Sequence, residues 1–132
     1  MCSSDLKDPV ESAHAKFFLG KLAAGEALPT SYPYPVQVVR LGDTVLLTAL
    51  GGEACVDYAL RLKRELAGNA AVWVAGYSND VMGYIPSRRV RREGGYEAEG
   101  AMRYSRVHPS PWDESLEEKI VAQVHALAAA AR

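Results

Sequence analysis

The chain has 132 residues, a hydrophobic fraction of 48% and a formal net charge of −1. These values predict one globular domain with a modest core, and they argue against general attraction to nucleic acid or to acidic membranes. No apolar run approaches the roughly 20 residues of a membrane-spanning helix, and no basic-then-apolar signal peptide opens the chain, so its localisation stays open.

The N-terminal residues divide into two parts. Residues 1–6 contain CSSDL, which looks like the translation of a sequencing adapter, so we expect a non-native tail there and the native chain in residues 7–132. An ordinary polar N-terminus is the alternative. From Asp8, a helix is predicted, because Asp8 suits the N-cap, Pro9 suits the first helical position, and apolar residues recur at helical spacing until Gly25.

A β-hairpin is predicted next. Residues 28–35 hold three prolines and form an extended connector. Residues 36–41 and 44–50 are strand-like, and Gly42-Asp43 supplies the turn between them. The second strand is apolar almost throughout, as a strand covered on both faces should be.

The stretch from Thr44 to Tyr84 organises the predicted fold. The glycine pair Gly51-Gly52 ends the strand, residues 53–66 have helical spacing, and residues 72–75 form a second short apolar run. Two strands joined by such a helix make a parallel βαβ unit, whose crossover is almost always right-handed. The sequence therefore predicts an α/β fold: a mixed sheet with a β-hairpin and a βαβ unit, flanked by helices.

Polar side chains follow both strands of this unit. Glu53 comes directly after the glycine pair, and Tyr84 ends the loop that follows the second strand. The loops after parallel strands open on the same edge of a sheet, where α/β folds place their chemistry, so these two side chains can come close in space. Spacing alone also allows Glu53 to be a carboxylate in a first helical turn, favoured by the helix dipole.

The inward side of the predicted helix is expected to be apolar. Its members are Cys55, Val56, Ala59, Leu62 and Leu66. In that position Cys55 is a small buried hydrophobe rather than a disulfide partner.

A basic stretch and a last helix complete the chain. Four arginines lie within residues 88–92, a pattern that occurs in phosphate or nucleic-acid sites. No aromatic residues are interleaved and acidic residues surround the stretch, which favours a solvated helical turn with an arginine anchoring a carboxylate. Ser115 and Glu118 have the spacing of a capping box that opens an amphipathic helix.

Three segments of the chain read GGEACVDYALRLKREL, WVAGYSNDVMGYIPS and GGYEAEGAM. Together they resemble the closing part of the catalytic domain of the neutral/alkaline (non-lysosomal) ceramidase family, in its bacterial ceramidase-like branch. The matching positions are Gly52-Glu53, Asn79 to Tyr84, and Tyr96-Glu97. The resemblance covers residue 36 to the last helix, and it implies that residues 7–132 are the C-terminal portion of such a domain, hence a partial domain.

The resemblance implies a zinc-dependent amide hydrolase that acts on the N-acyl amide of ceramide or a related lipid. In the family one zinc ion is held by two histidines, a glutamate that matches Glu53, and a tyrosine that matches Tyr84 and can also help polarise the amide carbonyl. Zinc lowers the pKa of its bound water to ~7, which makes hydroxide available near neutrality. Asn79 is expected to support the loop, and Tyr96 and Glu97 to pack around the site.

The sequence departs from the family at the histidines. The family's two histidine ligands and its active-site serine belong to earlier parts of the domain, and nothing in residues 1–35 matches them. His14, His108 and His125 are not expected to replace them. We therefore expect half of a metal site and little or no activity from this polypeptide alone.

Several questions stay open at this point. Family members are often secreted or periplasmic, which leaves the localisation of the parent protein undecided, and the oligomeric state is not indicated. A non-catalytic α/β binding or scaffold domain is the main alternative to a hydrolase. Nucleic-acid binding through residues 88–92 is the weakest alternative, and no nucleic-acid partner is expected.

Overall fold

A computed structural model describes residues 8–107, 109 and 111–131. Its elements are α1 (Pro9–Ala23), β1 (Val36–Leu41), β2 (Val45–Leu50), β3 (Glu53–Ala54), α2 (Val56–Glu65), β4 (Ala71–Ala75), β5 (Tyr84–Ile85), α3 (Arg88–Glu93), a 3₁₀ helix (Gly100–Tyr104) and α4 (Leu116–Ala130). The expected non-native tail and His108 lie outside the described residues. Within these ranges, no helix has both the length and the apolar character needed to cross a membrane.

The strands form two small sheets. In the first, β1 pairs antiparallel with β2, from Val36 opposite Leu50 to Leu41 opposite Val45, and β2 pairs parallel with β4. In the second, β3 and β5 form a short parallel ladder. Because α2 connects β2 to β4, the predicted α/β fold with a hairpin, a βαβ unit and flanking helices is confirmed.

Helices α2 and α4 cover one face of the larger sheet. Helix α4 packs on β1, and α2 packs on β4 and α4. The core between them consists of Leu50, Tyr58, Leu62, Met82, Ile85, Ile120, Val121 and Val124. On the other face Leu41 is 55% and Trp73 is 66% exposed. No residue of β2 itself is exposed: four are buried and Val45 and Leu47 are half-buried, as expected for a central strand.

Helix α1 begins as the sequence predicts. The Asp8 carboxylate accepts a hydrogen bond from the Val10 N–H at 2.8 Å, and Pro9 occupies the first turn. Of its apolar stripe only Phe18 is fully buried. The His14 ring packs on Phe18 with 4.9 Å between centroids.

The prediction that Glu53 begins a helix is wrong. Glu53 belongs to strand β3, and α2 starts only at Val56. Gly52, with a φ of 62°, turns the chain so that the Glu53 N–H donates to the Gly83 carbonyl at 2.8 Å. The Cys55 N–H also donates to β5, at 3.1 Å. These ladder bonds satisfy main-chain groups that a first helical turn would leave unpaired.

The later start changes which side of α2 faces the core. Tyr58 and Leu62, four residues apart, are fully buried, whereas Val56 is 64% exposed. Cys55 precedes the helix and is only half-buried. The predicted inward positions of Cys55 and Val56 are therefore wrong, and Tyr58 takes their place, with its hydroxyl donating to the Pro86 carbonyl at 3.1 Å.

Helix α4 forms without the predicted capping box. Ser115 has helical dihedral angles and makes no side-chain cap, and its hydroxyl binds the Asp113 carboxylate instead. Glu118, the other member of the predicted box, accepts a hydrogen bond from Arg61 at 2.8 Å. Two N–H groups of the Arg61 guanidinium donate to the two oxygens of Glu118, and this bidentate pair takes up the carboxylate that a capping box would use.

Candidate functional site

The candidate site lies on the β3–β5 ladder. Glu53 and Tyr84 are directly paired across it. Paired residues of neighbouring strands project from the same side of a sheet, within reach of each other. The structure thus brings together the two side chains that the sequence predicted as metal ligands, and their role as ligands stays a prediction.

Glycine at position 52 makes this ladder possible. Its φ of 62° lies in the left-handed region, which L side chains adopt at a cost. A Cβ at this position would lie 2.6 Å from the Gly83 carbonyl oxygen, the same oxygen that accepts the Glu53 N–H. The glycine pair identified in the sequence therefore sets the position of the carboxylate.

The Glu53 carboxylate interacts with two phenols. Burial and a hydrogen bond to Glu53 raise the pKa of Tyr84 above its ordinary value. A hydrogen bond to the same carboxylate is the main cause that raises the pKa of Tyr77 to about 12. Both hydroxyls are therefore protonated near neutral pH.

Tyr77 is the site residue that sequence reasoning missed. It follows β4 with a φ of 54°, and its N–H donates to the Gly52 carbonyl at 2.7 Å. The position just after Gly76, at the end of a parallel strand, was the signal available in the sequence. Nothing local indicated that its main chain would bind the residue just before Glu53.

A pocket of about 430 Å³ opens beside the pair. The charged and reactive side chains that line it are Glu53, Cys55, Tyr84, Arg89, Glu93 and Glu97. Burial raises the pKa of the Cys55 thiol, which keeps it in the neutral form near pH 7. Glu97, expected from the sequence to pack around the site, lines the pocket.

The remaining predicted residues surround the pair. Tyr96 packs edge-on against Tyr84, with 5.6 Å between ring centroids and an interplanar angle of 74°. Asn79 lies in the loop between β4 and β5 with a φ of 67°, a conformation that asparagine tolerates. The Gly52 N–H donates to the Asp80 carbonyl at 2.8 Å and fastens this loop beside the site.

The fit to zinc can be judged from the donor atoms present. A carboxylate oxygen is an ordinary zinc ligand, and the phenol-bearing Tyr84 is paired with Glu53 across the ladder. Within residues 8–107, 109 and 111–131, no group of three or more histidine, cysteine, aspartate or glutamate side chains is arranged to hold a metal ion. Glu53 and Tyr84 are thus two oxygen-bearing residues on one ladder, without a third His, Cys, Asp or Glu arranged with them among the described residues.

The two described histidines have other contacts. His125 Nε2 lies 2.8 Å from a carboxylate oxygen of Glu65. The His14 ring packs on Phe18. Neither ring lines the pocket beside Glu53.

The basic stretch forms helix α3, so the predicted helical turn is confirmed. Its arginines make ion pairs: Arg88 with Glu118 at 3.5 Å, Arg89 with Asp57 at 3.1 Å and with Glu93 at 2.7 Å, Arg91 with Glu99 at 3.8 Å, and Arg92 with Glu114 at 3.2 Å. Acidic neighbours thus balance much of the positive charge that would attract a phosphate backbone.

Comparisons with protein-family models, with curated proteins and with solved structures find no match to this chain. The resemblance to ceramidases therefore depends on the three sequence segments alone. The pairing of Glu53 with Tyr84 across the β3–β5 ladder does not depend on that resemblance.

Proposed function

We propose that this chain supplies the glutamate and tyrosine ligands of a zinc site in an amide hydrolase resembling neutral ceramidase. Residues 7–132 would then form the C-terminal portion of the catalytic domain. One observation carries the proposal: Glu53 and Tyr84 pair across the β3–β5 ladder at the side of an open pocket. The two residues meet although they are separated in sequence by a helix and a strand, as ligands of one ion must.

The roles of the residues follow from their chemistry. Glu53 holds the ion through its carboxylate, and Tyr84 contributes its phenol oxygen. When bound, zinc supplies a Lewis acid and a water of lowered pKa. The Tyr84 hydroxyl would also bind the carbonyl oxygen of the amide, and the Tyr96 ring packs edge-on against Tyr84.

The pocket suits an amide that carries an acyl chain. Val56 and Val90 line it together with the polar groups around Glu53, and Val56 is 64% exposed at its edge. Apolar surface beside a polar reaction centre fits the first carbons of a fatty acyl group. The proposed substrate is accordingly the N-acyl amide of ceramide or a related lipid.

A second candidate is a non-catalytic α/β binding or scaffold domain. It is favoured by main-chain bonds that join β3 to the loop before β5 and to the loop after β4: the Glu53 N–H donates to the Gly83 carbonyl at 2.8 Å, and the Tyr77 N–H donates to the Gly52 carbonyl at 2.7 Å. In that case Glu53 belongs to a junction of three segments and does not bind an ion.

Zinc titration by calorimetry tests the proposal. We expect the full chain to bind zinc weakly, because two ligands hold an ion less tightly than four. Glu53→Gln abolishes this binding and Tyr84→Phe weakens it, whereas Glu114→Gln, which alters an exposed ion pair with Arg92, leaves it unchanged. Hydrolysis of a fluorogenic N-acyl amide should be slow or absent.

Two outcomes would contradict the proposal. If Glu53→Gln binds zinc like the wild type but melts at a lower temperature, Glu53 has the scaffold role. If the wild type binds zinc tightly and turns the amide over rapidly, the chain holds a complete site rather than half of one.

A further inference from the structure

Strand β5 has two sides, and only one of them is paired with β3. The Gly83 carbonyl accepts the Glu53 N–H at 2.8 Å, and the Ile85 carbonyl accepts the Cys55 N–H at 3.1 Å. Carbonyls of successive residues in a strand point in opposite directions, so the Tyr84 carbonyl, which lies between these two, points away from β3. A main-chain acceptor on that side needs a partner from another part of the chain.

Trp112 is this partner. Its indole N–H donates to the Tyr84 carbonyl at 2.9 Å, between residues that are 28 positions apart in sequence. The tryptophan is itself held in place, because Arg91 Nε donates to the Trp112 carbonyl at 2.9 Å. The Tyr32 ring also packs edge-on against the indole, with 6.3 Å between ring centroids. Strand β5 is therefore bonded on both sides, by β3 and by an anchored side chain.

Packing alone does not require a tryptophan at this position. Trp112 is half-buried and packs against the hydrophobic core, as the aliphatic side chains of Val107 and Leu116 also do. An aliphatic or phenyl side chain meets that need but has no N–H to donate. Trp73, the other tryptophan of the chain, is 66% exposed on the open face of the larger sheet. The indole N–H is thus what distinguishes a tryptophan at position 112.

We propose that Trp112 is a positioning residue, whose indole N–H fixes the main chain of Tyr84 and thereby the place of its phenol beside Glu53. Residues that bind metal ions are commonly oriented by hydrogen bonds from groups that do not touch the metal. Because β5 has only two residues, a bond on its outer side is a large part of what holds it. The inference rests on the proposed function for what Tyr84 binds, but the bond itself does not require a metal ion.

NMR of the full chain tests the bond. Tyr84-Ile85 is the only tyrosine–isoleucine pair in the sequence, so labelling tyrosine at the carbonyl carbon and isoleucine at the nitrogen gives one signal for this peptide group. We expect Trp112→Phe, which removes the N–H and keeps an aromatic ring, to shift this signal. Trp73→Phe, the matched control, should leave it in place. In the wild type, the Trp112 indole proton should exchange with water several-fold more slowly than that of Trp73.

A second signal distinguishes positioning from packing. The phenol carbon of Tyr84, identified by the loss of its resonance in Tyr84→Phe, should also shift in Trp112→Phe and stay in place in Trp73→Phe. If it stays in place in Trp112→Phe while the melting temperature falls, Trp112 only stabilises the fold and the proposal is overturned. An unchanged Tyr84 carbonyl signal, or two indole protons that exchange equally fast, also overturns it. If Trp112→Phe does not fold, the benzothiophene analogue of tryptophan at position 112, which has a similar shape and no N–H, replaces it in both measurements.

Adding zinc to the same samples separates this inference from the proposed function. We expect zinc to move the phenol resonance of Tyr84 in the wild type, and Trp112→Phe to need several-fold more zinc for half of the change. If Trp112→Phe shifts both Tyr84 signals but zinc leaves the wild type unaffected, Trp112 positions Tyr84 and the zinc site is wrong.

Discussion

Among single residues, Gly52 has the most direct control over the geometry of the site. It combines a left-handed φ with close approach to the Gly83 carbonyl, so both its conformational freedom and its lack of a side chain are needed. Gly25 has a similar φ of 76°, but an added Cβ there meets nothing within 4 Å. Replacing Gly25 therefore measures the loss of stability from the left-handed conformation alone, whereas replacing Gly52 also includes the clash with the Gly83 carbonyl.

We predict that Gly52→Ala lowers the free energy of unfolding by about 2 kcal/mol or more. The left-handed conformation alone costs a non-glycine residue about 1–2 kcal/mol, and the clash with the Gly83 carbonyl adds to it. Gly25→Ala, the control, should lose only the conformational part. Urea denaturation measures both, and equal losses in the two variants would contradict the role of the contact.

Asp57 makes the stability depend on acid. Hydrogen bonds from Arg89 and Ser87 lower the pKa of its carboxyl below the ordinary value. Because the folded pKa lies below the unfolded one, this stabilisation is complete above about pH 4 and is lost as the pH falls through the folded pKa.

We therefore predict that Asp57→Asn flattens the acid limb of the stability curve. Between about pH 4 and pH 2, the free energy of unfolding of the wild type should fall more steeply than that of Asp57→Asn, because the asparagine side chain at position 57 does not take up a proton. Urea denaturation at a series of pH values measures the two slopes. Parallel curves would show that the carboxyl contributes nothing to the acid dependence.

Among the elements, those with local signals were predictable from the sequence. Helix α1 has its Asp8-Pro9 start, and the β1–β2 hairpin has its glycine turn, so each is specified by neighbouring residues. The start of α2 is not, because Glu53 extends β3 only by pairing with Tyr84, far along the chain. The conformation of Tyr77 depends in the same way on a distant bond to Gly52.

The same distinction applies to the candidate site. The topology of a βαβ unit was enough to predict that Glu53 and Tyr84 come close. The topology was not enough to predict that Tyr77 lies beside this pair, because a positive φ at a tyrosine has no signature in sequence spacing. The sequence therefore did not predict the main-chain bonds between distant segments, such as the bond between Tyr77 and Gly52.

Arg61 joins helices α2 and α4. Its guanidinium donates at 2.8 Å to Glu117, to Glu118 and, within α2, to Glu65. Arg64 is the contrasting case, since its side chain is 74% exposed and lies 3.8 Å from Glu65. The first arginine connects two helices of the same layer, and the second belongs to the surface.

We predict that Arg61→Met lowers the free energy of unfolding by about 1–3 kcal/mol, because it leaves three carboxylates without their shared partner. Arg64→Met should change the same quantity by less than about 1 kcal/mol, as exposed ion pairs do. Thermal and urea denaturation measure both variants. If the two losses are alike, Arg61 does not join the helices in the way that the structure indicates.

For the whole molecule, two features agree with the proposal that residues 7–132 belong to a larger catalytic domain. The three-stranded sheet is covered by α2 and α4 on one face, while Trp73 and Leu41 are exposed on the other. The candidate site likewise presents two of the four ligands that the ceramidase resemblance implies. In the proposal, the exposed sheet face and the pair of ligands would both be completed by other parts of the catalytic domain. The zinc site can be tested more directly than the sheet face.

Crystallography of the chain grown with zinc, with data collected at the zinc absorption edge, tests the shared metal position. We predict one anomalous peak beside the β3–β5 ladder, with a Glu53 carboxylate oxygen at about 2.0–2.2 Å from the zinc ion and the Tyr84 phenol oxygen in the same shell. A zinc ion bound elsewhere, with the Glu53 and Tyr84 oxygens too far apart to touch one ion, would contradict it.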